Sequence, residues 1–174
     1  DEVEKVKEEI RRIVKELEDR VEEHKKEAKK IIDELRRLVK RHREEVEEIV
    51  KKLEELVRRN SPREEIEKEL DKVRRRSDEL HKDAKKKLDE VREDSKRMAE
   101  EIKRTLEKVR DELRRKISNE EVLKEAEKLL EDVERKLRKS HEDLERLLKE
   151  VEEAVRDSNE EVRERLDRVR EKMR

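Results

Sequence analysis

Cysteine, glycine and every aromatic residue are absent from this 174-residue chain, and proline occurs once. Without cysteine there is no disulfide, no thiolate nucleophile and no cysteine-based metal site, and the redox compartment is not readable. An average chain carries about 7% glycine, so about a dozen would be ordinary at this length. Glycine takes left-handed backbone positions at little cost, and its absence makes β or α/β folds with many tight turns hard to build. Without aromatic rings there is no stacking platform for bases. Apolar runs are short, and none approaches the roughly 18 residues of a membrane span. No signal peptide is visible. The expected chain is soluble, with its location unknown.

An excess of one charge is lacking too. There are 54 Lys and Arg against 55 Asp and Glu, a formal net charge of −1. The longest basic runs are three residues, as at Arg74 to Arg76 and Lys85 to Lys87. Nucleic-acid binding therefore has little support. Charged residues make up 63% of the chain and apolar ones 29%, a balance that raises the question of disorder. The near-zero net charge and the strict periodicity of the apolar residues oppose it. The composition suits long helices packed in a bundle.

Only two places spell turns. In Asn60-Ser61-Pro62-Arg63-Glu64, Ser61 suits a helix N-cap, Pro62 the first helical position, and Glu64 closes a capping box. In Ser118-Asn119-Glu120-Glu121, a serine again precedes a glutamate by three. These turns predict a single domain, 1–174, of three helices at about 1–59, 62–117 and 119–174, each roughly 85 Å long. Ser158-Asn159-Glu160-Glu161 has the same spelling. The stripe Val151, Val155, Ser158, Val162, Leu166, Val169 runs through it, so it reads as helix interior.

The apolar pattern repeats every eighteen residues. Val3, Val21, Val39 and Val57 lie on this ruler, as do Leu70, Leu88 and Leu106, and Val133, Val151 and Val169. Eighteen residues make five turns at about 3.6 residues per turn, so the stripe does not drift around the helix and no supercoil is imposed. The expected fold is all-α, an antiparallel up-down-up three-helix bundle of nearly straight helices. The remaining faces carry Glu, Lys and Arg, many four apart in the favourable order, such as Glu8 with Arg12. They read as solvated surface.

Certain stripe positions are polar. On the ruler Val6 is followed by His24 and His42, Ser77 and Ser95 precede Leu113, and Val122 precedes Ser140 and Ser158. His81, His141 and Asn159 flank their stripes. Facing residues of an antiparallel pair have a constant sum of numbers. His24 with Ser95 and His42 with Ser77 share one sum, and half of it falls beside the Asn60 turn. Ser95 with Ser140 and Ser77 with Ser158 share another, and half of it falls at Ser118. Two buried polar layers are therefore expected, about 27 Å apart. One holds His24, Ser95, Ser140 and His141. The other holds His42, Ser77, His81, Ser158 and Asn159. Imidazole and hydroxyl groups both donate and accept, so such layers can satisfy their own polar atoms.

With the eighteen-residue ruler, the turn Asn60-Ser61-Pro62-Arg63-Glu64, the missing glycine and aromatics, and the His/Ser layers, the whole sequence resembles de novo designed, parametrically generated helical bundles with buried hydrogen-bond networks. That resemblance implies a synthetic protein without catalytic residues. It also implies two uses: acid-triggered opening through buried histidines, and self-assembly into oligomers or filaments.

The layers themselves leave several roles open. They would fix register, because a slipped packing leaves their members unpaired. They would respond to pH, because burial disfavours a charged imidazole relative to the unfolded chain. Ligation of zinc or haem has little support: each layer offers two histidines and no cysteine, with no ring of small residues to clear a haem cavity. No metal and no cofactor is expected. Serine beside histidine suggests a nucleophile, but no pocket, oxyanion donor or orienting acid accompanies it, so no enzyme is expected. No partner is required. Helix 1 has the densest stripe, with doublets such as Ile31-Ile32 and Leu38-Val39. Either part of it stays uncovered and drives self-association, or a three-helix core absorbs it.

Overall fold

The structure, a computed structural model, describes the backbone of residues 2–174 and side chains from residue 3. The chain forms a three-helix bundle: α1 (Glu2–Arg58), α2 (Arg63–Lys116) and α3 (Glu120–Lys172). The expected start of helix 1 at residue 1 lies outside the described residues. α3 runs unbroken through Ser158-Asn159, where an apolar stripe on both sides outweighs a local capping spelling.

Both turns differ from their expected chemistry by one residue. α1 closes with Asn60 in the left-handed region, at φ 55°. Asn60 N–H donates to the Val57 carbonyl and Ser61 N–H to the Leu56 carbonyl, each at 3.1 Å. This is the Schellman closure, which satisfies the last carbonyls of a helix. α2 starts one residue later than expected, with Pro62 at the N-cap, its carbonyl accepting from Ile66 N–H at 3.4 Å. At the second turn the cap is Asn119 rather than Ser118. Its side-chain Oδ1 accepts from Glu121 N–H at 3.0 Å, and its carbonyl accepts from Leu123 N–H at 3.2 Å. Asparagine tolerates positive φ better than most residues but not as well as glycine. Asn60→Gly is therefore expected to leave stability unchanged or raise it by a few tenths of a kcal/mol, and Asn60→Val to lower it by about 1 kcal/mol or more. Denaturant midpoints of the two variants check this.

The chain divides into two compact units, and every helix contributes to both. Unit 1 comprises residues 1–29 and 90–146; unit 2 comprises residues 30–89 and 147–174. In unit 1 the core gathers Ile10, Leu17 and Val21 from α1, Ile102, Leu106 and Leu113 from α2, and Ala126, Leu130 and Leu137 from α3. In unit 2 it gathers Val46 and Leu53, Ile66 and Leu70, and Val162 and Leu166.

Exposed ion pairs record the directions within each unit. In unit 1, Lys7 with Glu125 and Glu18 with Lys136 run parallel between α1 and α3, while Arg20 with Glu101, taken with the His24–Ser95 contact, runs antiparallel between α1 and α2. In unit 2, Arg43 meets Glu161 at 2.6 Å and Glu54 meets Lys172 at 3.3 Å, again parallel. Asp78 with Arg163 and Asp71 with Arg170 run antiparallel between α2 and α3. Such exposed pairs contribute about 0–1 kcal/mol each, so the apolar stripes carry the fold.

Candidate functional site: the polar positions in each unit

Ser95 of unit 1 occupies a stripe position of α2 and is buried among apolar neighbours, with 4% of its surface exposed. Its Oγ lies 2.7 Å from Nε2 of His24 on α1. Either the hydroxyl donates to the ring lone pair or the ring N–H donates to the hydroxyl, according to the tautomer. His24 itself is half-buried. It stands in the wall of a groove of about 370 Å³ with Arg20, Glu23, Asp94, Arg97 and Glu101, so one side of the ring faces charged, solvated chain.

Ser140 and His141 depart from the expected layer. Ser140 is half-buried in the wall of a second groove, with Glu18, Glu22, Lys25 and Lys136. His141 is exposed. Successive helical residues are about 100° apart. Ser140 already lies at the edge of the buried face of α3, and the next residue turns out to water. The first layer is thus a His24–Ser95 bond with Ser140 at its margin and His141 outside it.

The five predicted residues of unit 2 lie on or beside the buried faces. Ser77 of α2 is buried and donates from Oγ to Oδ1 of Asn159 on α3 at 2.8 Å. Ser158 is buried, with 4% exposure, and its Oγ has no hydrogen-bond partner. His42 on α1 and His81 on α2 are half-buried; Nε2 of His42 and Nδ1 of His81 are buried atoms without a partner. Burial lowers the His42 pKa from 6.5; Glu45 opposes this and Arg76 adds to it. Desolvation is the largest influence because a charged imidazole there would give up water without gaining a hydrogen-bond acceptor.

The stripe phase carried the information on which helix faces these residues occupy. It could not separate full burial from half burial, since His24, His42 and Ser140 share ruler positions with apolar residues. The cross-helix pairs Arg43–Glu161 and Asp78–Arg163 went unread, because in a chain so rich in charge no exposed pair stands out from its neighbours.

Among the described residues, no group of three or more His, Asp or Glu side chains is placed to hold a metal ion. None of the described helices is long and apolar enough to cross a membrane. Leu38, 36% exposed, is the one large apolar side chain on the described surface that stands open to solvent.

No family model matches the chain, and no curated protein is similar to it. Its fold is similar to that of a solved structure described as a computationally designed three helix bundle. The TM-score is 0.59 at 18% identity, over 99% of this chain and 90% of the other.

Proposed function

We propose that the chain is a designed structural scaffold with no natural biochemical activity, in which buried His and Ser side chains set the register of the helices. We take the two units as parts of one three-helix domain, because each helix contributes to both without a break. The observation that carries the reading is a half-buried, inter-helix polar bond beside the apolar core of each unit, with its serine fully buried: His24 to Ser95 in unit 1 and Ser77 to Asn159 in unit 2. Sliding a helix by eighteen residues would leave the polar groups of at least one layer without their partners, at about 1–3 kcal/mol each. Apolar stripes that repeat every eighteen residues supply no such penalty themselves. The Ser95 hydroxyl is enclosed by the core, so no substrate carbonyl can reach it, which supports a role in packing rather than in nucleophilic attack.

The test replaces the first layer by the residues found at the same ruler positions elsewhere: His24→Val, Ser95→Leu and Ser140→Val. Exchanging buried polar partners for well-packed apolar ones is often neutral or stabilising. The expected variant melts no lower than the parent but loses unique pairing. Spin labels at Lys26 and Glu93, both exposed, should report one narrow distance in the parent and a second population in the variant. A single unchanged distance in the variant would remove the register role of this layer.

A pH-responsive element is the second reading, favoured by the lowered pKa of His42. Self-association is a further reading: Leu38 is exposed, and Ile31, Ile49 and Leu56 on the same face of α1 are only half-buried, which leaves apolar surface for a second copy.

A further inference from the structure

One flank of α1 in unit 2 is tied to its neighbour. Arg36 binds Glu150, Arg43 binds Glu161 and Glu54 binds Lys172, all on α3. Another edge of the same helix carries an apolar strip that the core does not enclose. It holds Leu38, 36% exposed, and the half-buried Ile31, Ile49 and Leu56. Successive members stand about two, three and two turns apart, so they form one line along roughly 37 Å of helix. A line at this spacing suits a second helix laid along it.

The strip is symmetric about its own middle. When two copies run antiparallel, Ile31 meets Leu56 of the second copy at the register where Leu38 meets Ile49, and both pairings centre between residues 43 and 44. The ruler alone produces that symmetry. The charges beside the strip are an independent record. Glu34, Arg41, Glu45 and Lys52 line its outer side, all exposed. In an antiparallel twofold pair each side of the strip meets the same side of the other copy. Within one residue of the same centre, Arg41 then faces Glu45 and Glu34 faces Lys52. The next row outwards follows the same rule, with Arg37 facing Glu48 and Lys30 facing Glu55. Every facing pair is opposite in charge, and the twofold makes each pair occur twice. A parallel pair in register would set each of these charges against itself, which charge repulsion opposes.

We infer that unit 2 docks onto a second copy of itself through α1, antiparallel and twofold, with Leu38 of one copy on Ile49 of the other and Arg41 facing Glu45. This rests on the self-association reading and adds to it a surface and a register. The apolar strip supplies the attraction, and the charges select the direction.

The test uses the intact chain. Sedimentation equilibrium over a wide range of concentration should show monomer and dimer only. Leu38→Glu, at an exposed position, should keep its helical circular dichroism and sediment as a monomer. Arg41→Glu should weaken the dimer about tenfold, and adding Glu45→Arg should restore it. Spin labels at Glu44 or at Arg58, both exposed and in separate samples, report the direction. Between copies, the Glu44 labels should lie nearly level and the Arg58 labels about 44 Å apart along the helix axis. A monomer at every concentration would overturn this inference and the self-association reading together. Equal label distances at the two positions, growth beyond two copies, an undisturbed Leu38→Glu dimer or no rescue by the double reversal would overturn the docking and leave self-association standing. If Leu38→Glu fails to fold, the charge reversals and the label distances decide.

Discussion

Leu106→Ala is expected to lower the unfolding free energy by about 2–5 kcal/mol, the range for deleting a fully buried leucine side chain. Leu106 has no exposed surface and belongs to the unit 1 core with Ile102, Val109 and Leu130. Truncation removes the transfer free energy of the lost carbons. It also opens a space that the neighbouring side chains fill only in part, because each is tied to its own helix and its own ruler position. The loss will lie toward the upper end if those neighbours do not relax. Leu38→Ala is the matched control. That leucine keeps 36% of its surface exposed, so its truncation should cost clearly less, on the order of 1 kcal/mol. Urea unfolding followed by far-ultraviolet circular dichroism measures both. The chain has no aromatic residue, so fluorescence cannot follow the transition. Similar losses in the two variants would mean that the core has been placed on the wrong face of α1 or α2.

Acidification is expected to destabilise the protein through His42. Its pKa in the folded chain lies below 6.5 because burial disfavours the charged ring, with Arg76 adding to this and Glu45 opposing it. The unfolded chain therefore binds more protons in the window between the lowered value and 6.5. The contribution of the neutral ring is fully present above 6.5 and is lost as pH falls through the lowered folded value. One such group changes stability by at most about 1.4 kcal/mol per pH unit. Denaturant midpoints should fall between pH 7.5 and about 5, a range chosen because carboxylates titrate mainly below it. His42→Val, which copies Val6 from the same ruler position, should flatten most of that fall. Equal losses in parent and variant would mean that His42 is not the acid-sensitive group.

Much of this molecule is written in its apolar stripes. Their phase places His24 against Ser95, and that contact is a hydrogen bond in the structure. It also sets Ser77 against His42 and Ser158, whereas Ser77 donates to Asn159 and neither His42 Nε2 nor Ser158 Oγ has a partner. The two turns were legible as places but not as chemistry. Asn60 in the left-handed region and the cap at Asn119 depend on which of two adjacent polar residues reaches a free N–H or takes a positive φ. Periodicity cannot choose between neighbours. The same limit explains His141, one residue beyond the edge of the buried face. The distinction between the self-satisfied His24–Ser95 pair and the three unpartnered atoms of unit 2 was beyond the sequence, because it rests on side-chain rotamers rather than on spacing.

The composition of the two units also bears on the order in which they can form. Each unit contains one local hairpin and one distant segment. Unit 2 has α1 and α2 joined across Asn60, with residues 147–174 arriving from far along the chain; unit 1 has α2 and α3 joined across Asn119, with residues 1–29 arriving from the other direction. Hairpin contacts close short loops and form quickly, while a distant segment must first meet the entropy of a long closure. α2 lies in both hairpins and is the only helix that never has to travel. On this ground α1 and α3 are each expected to meet α2 twice, once as a neighbour in sequence and once across a long closure.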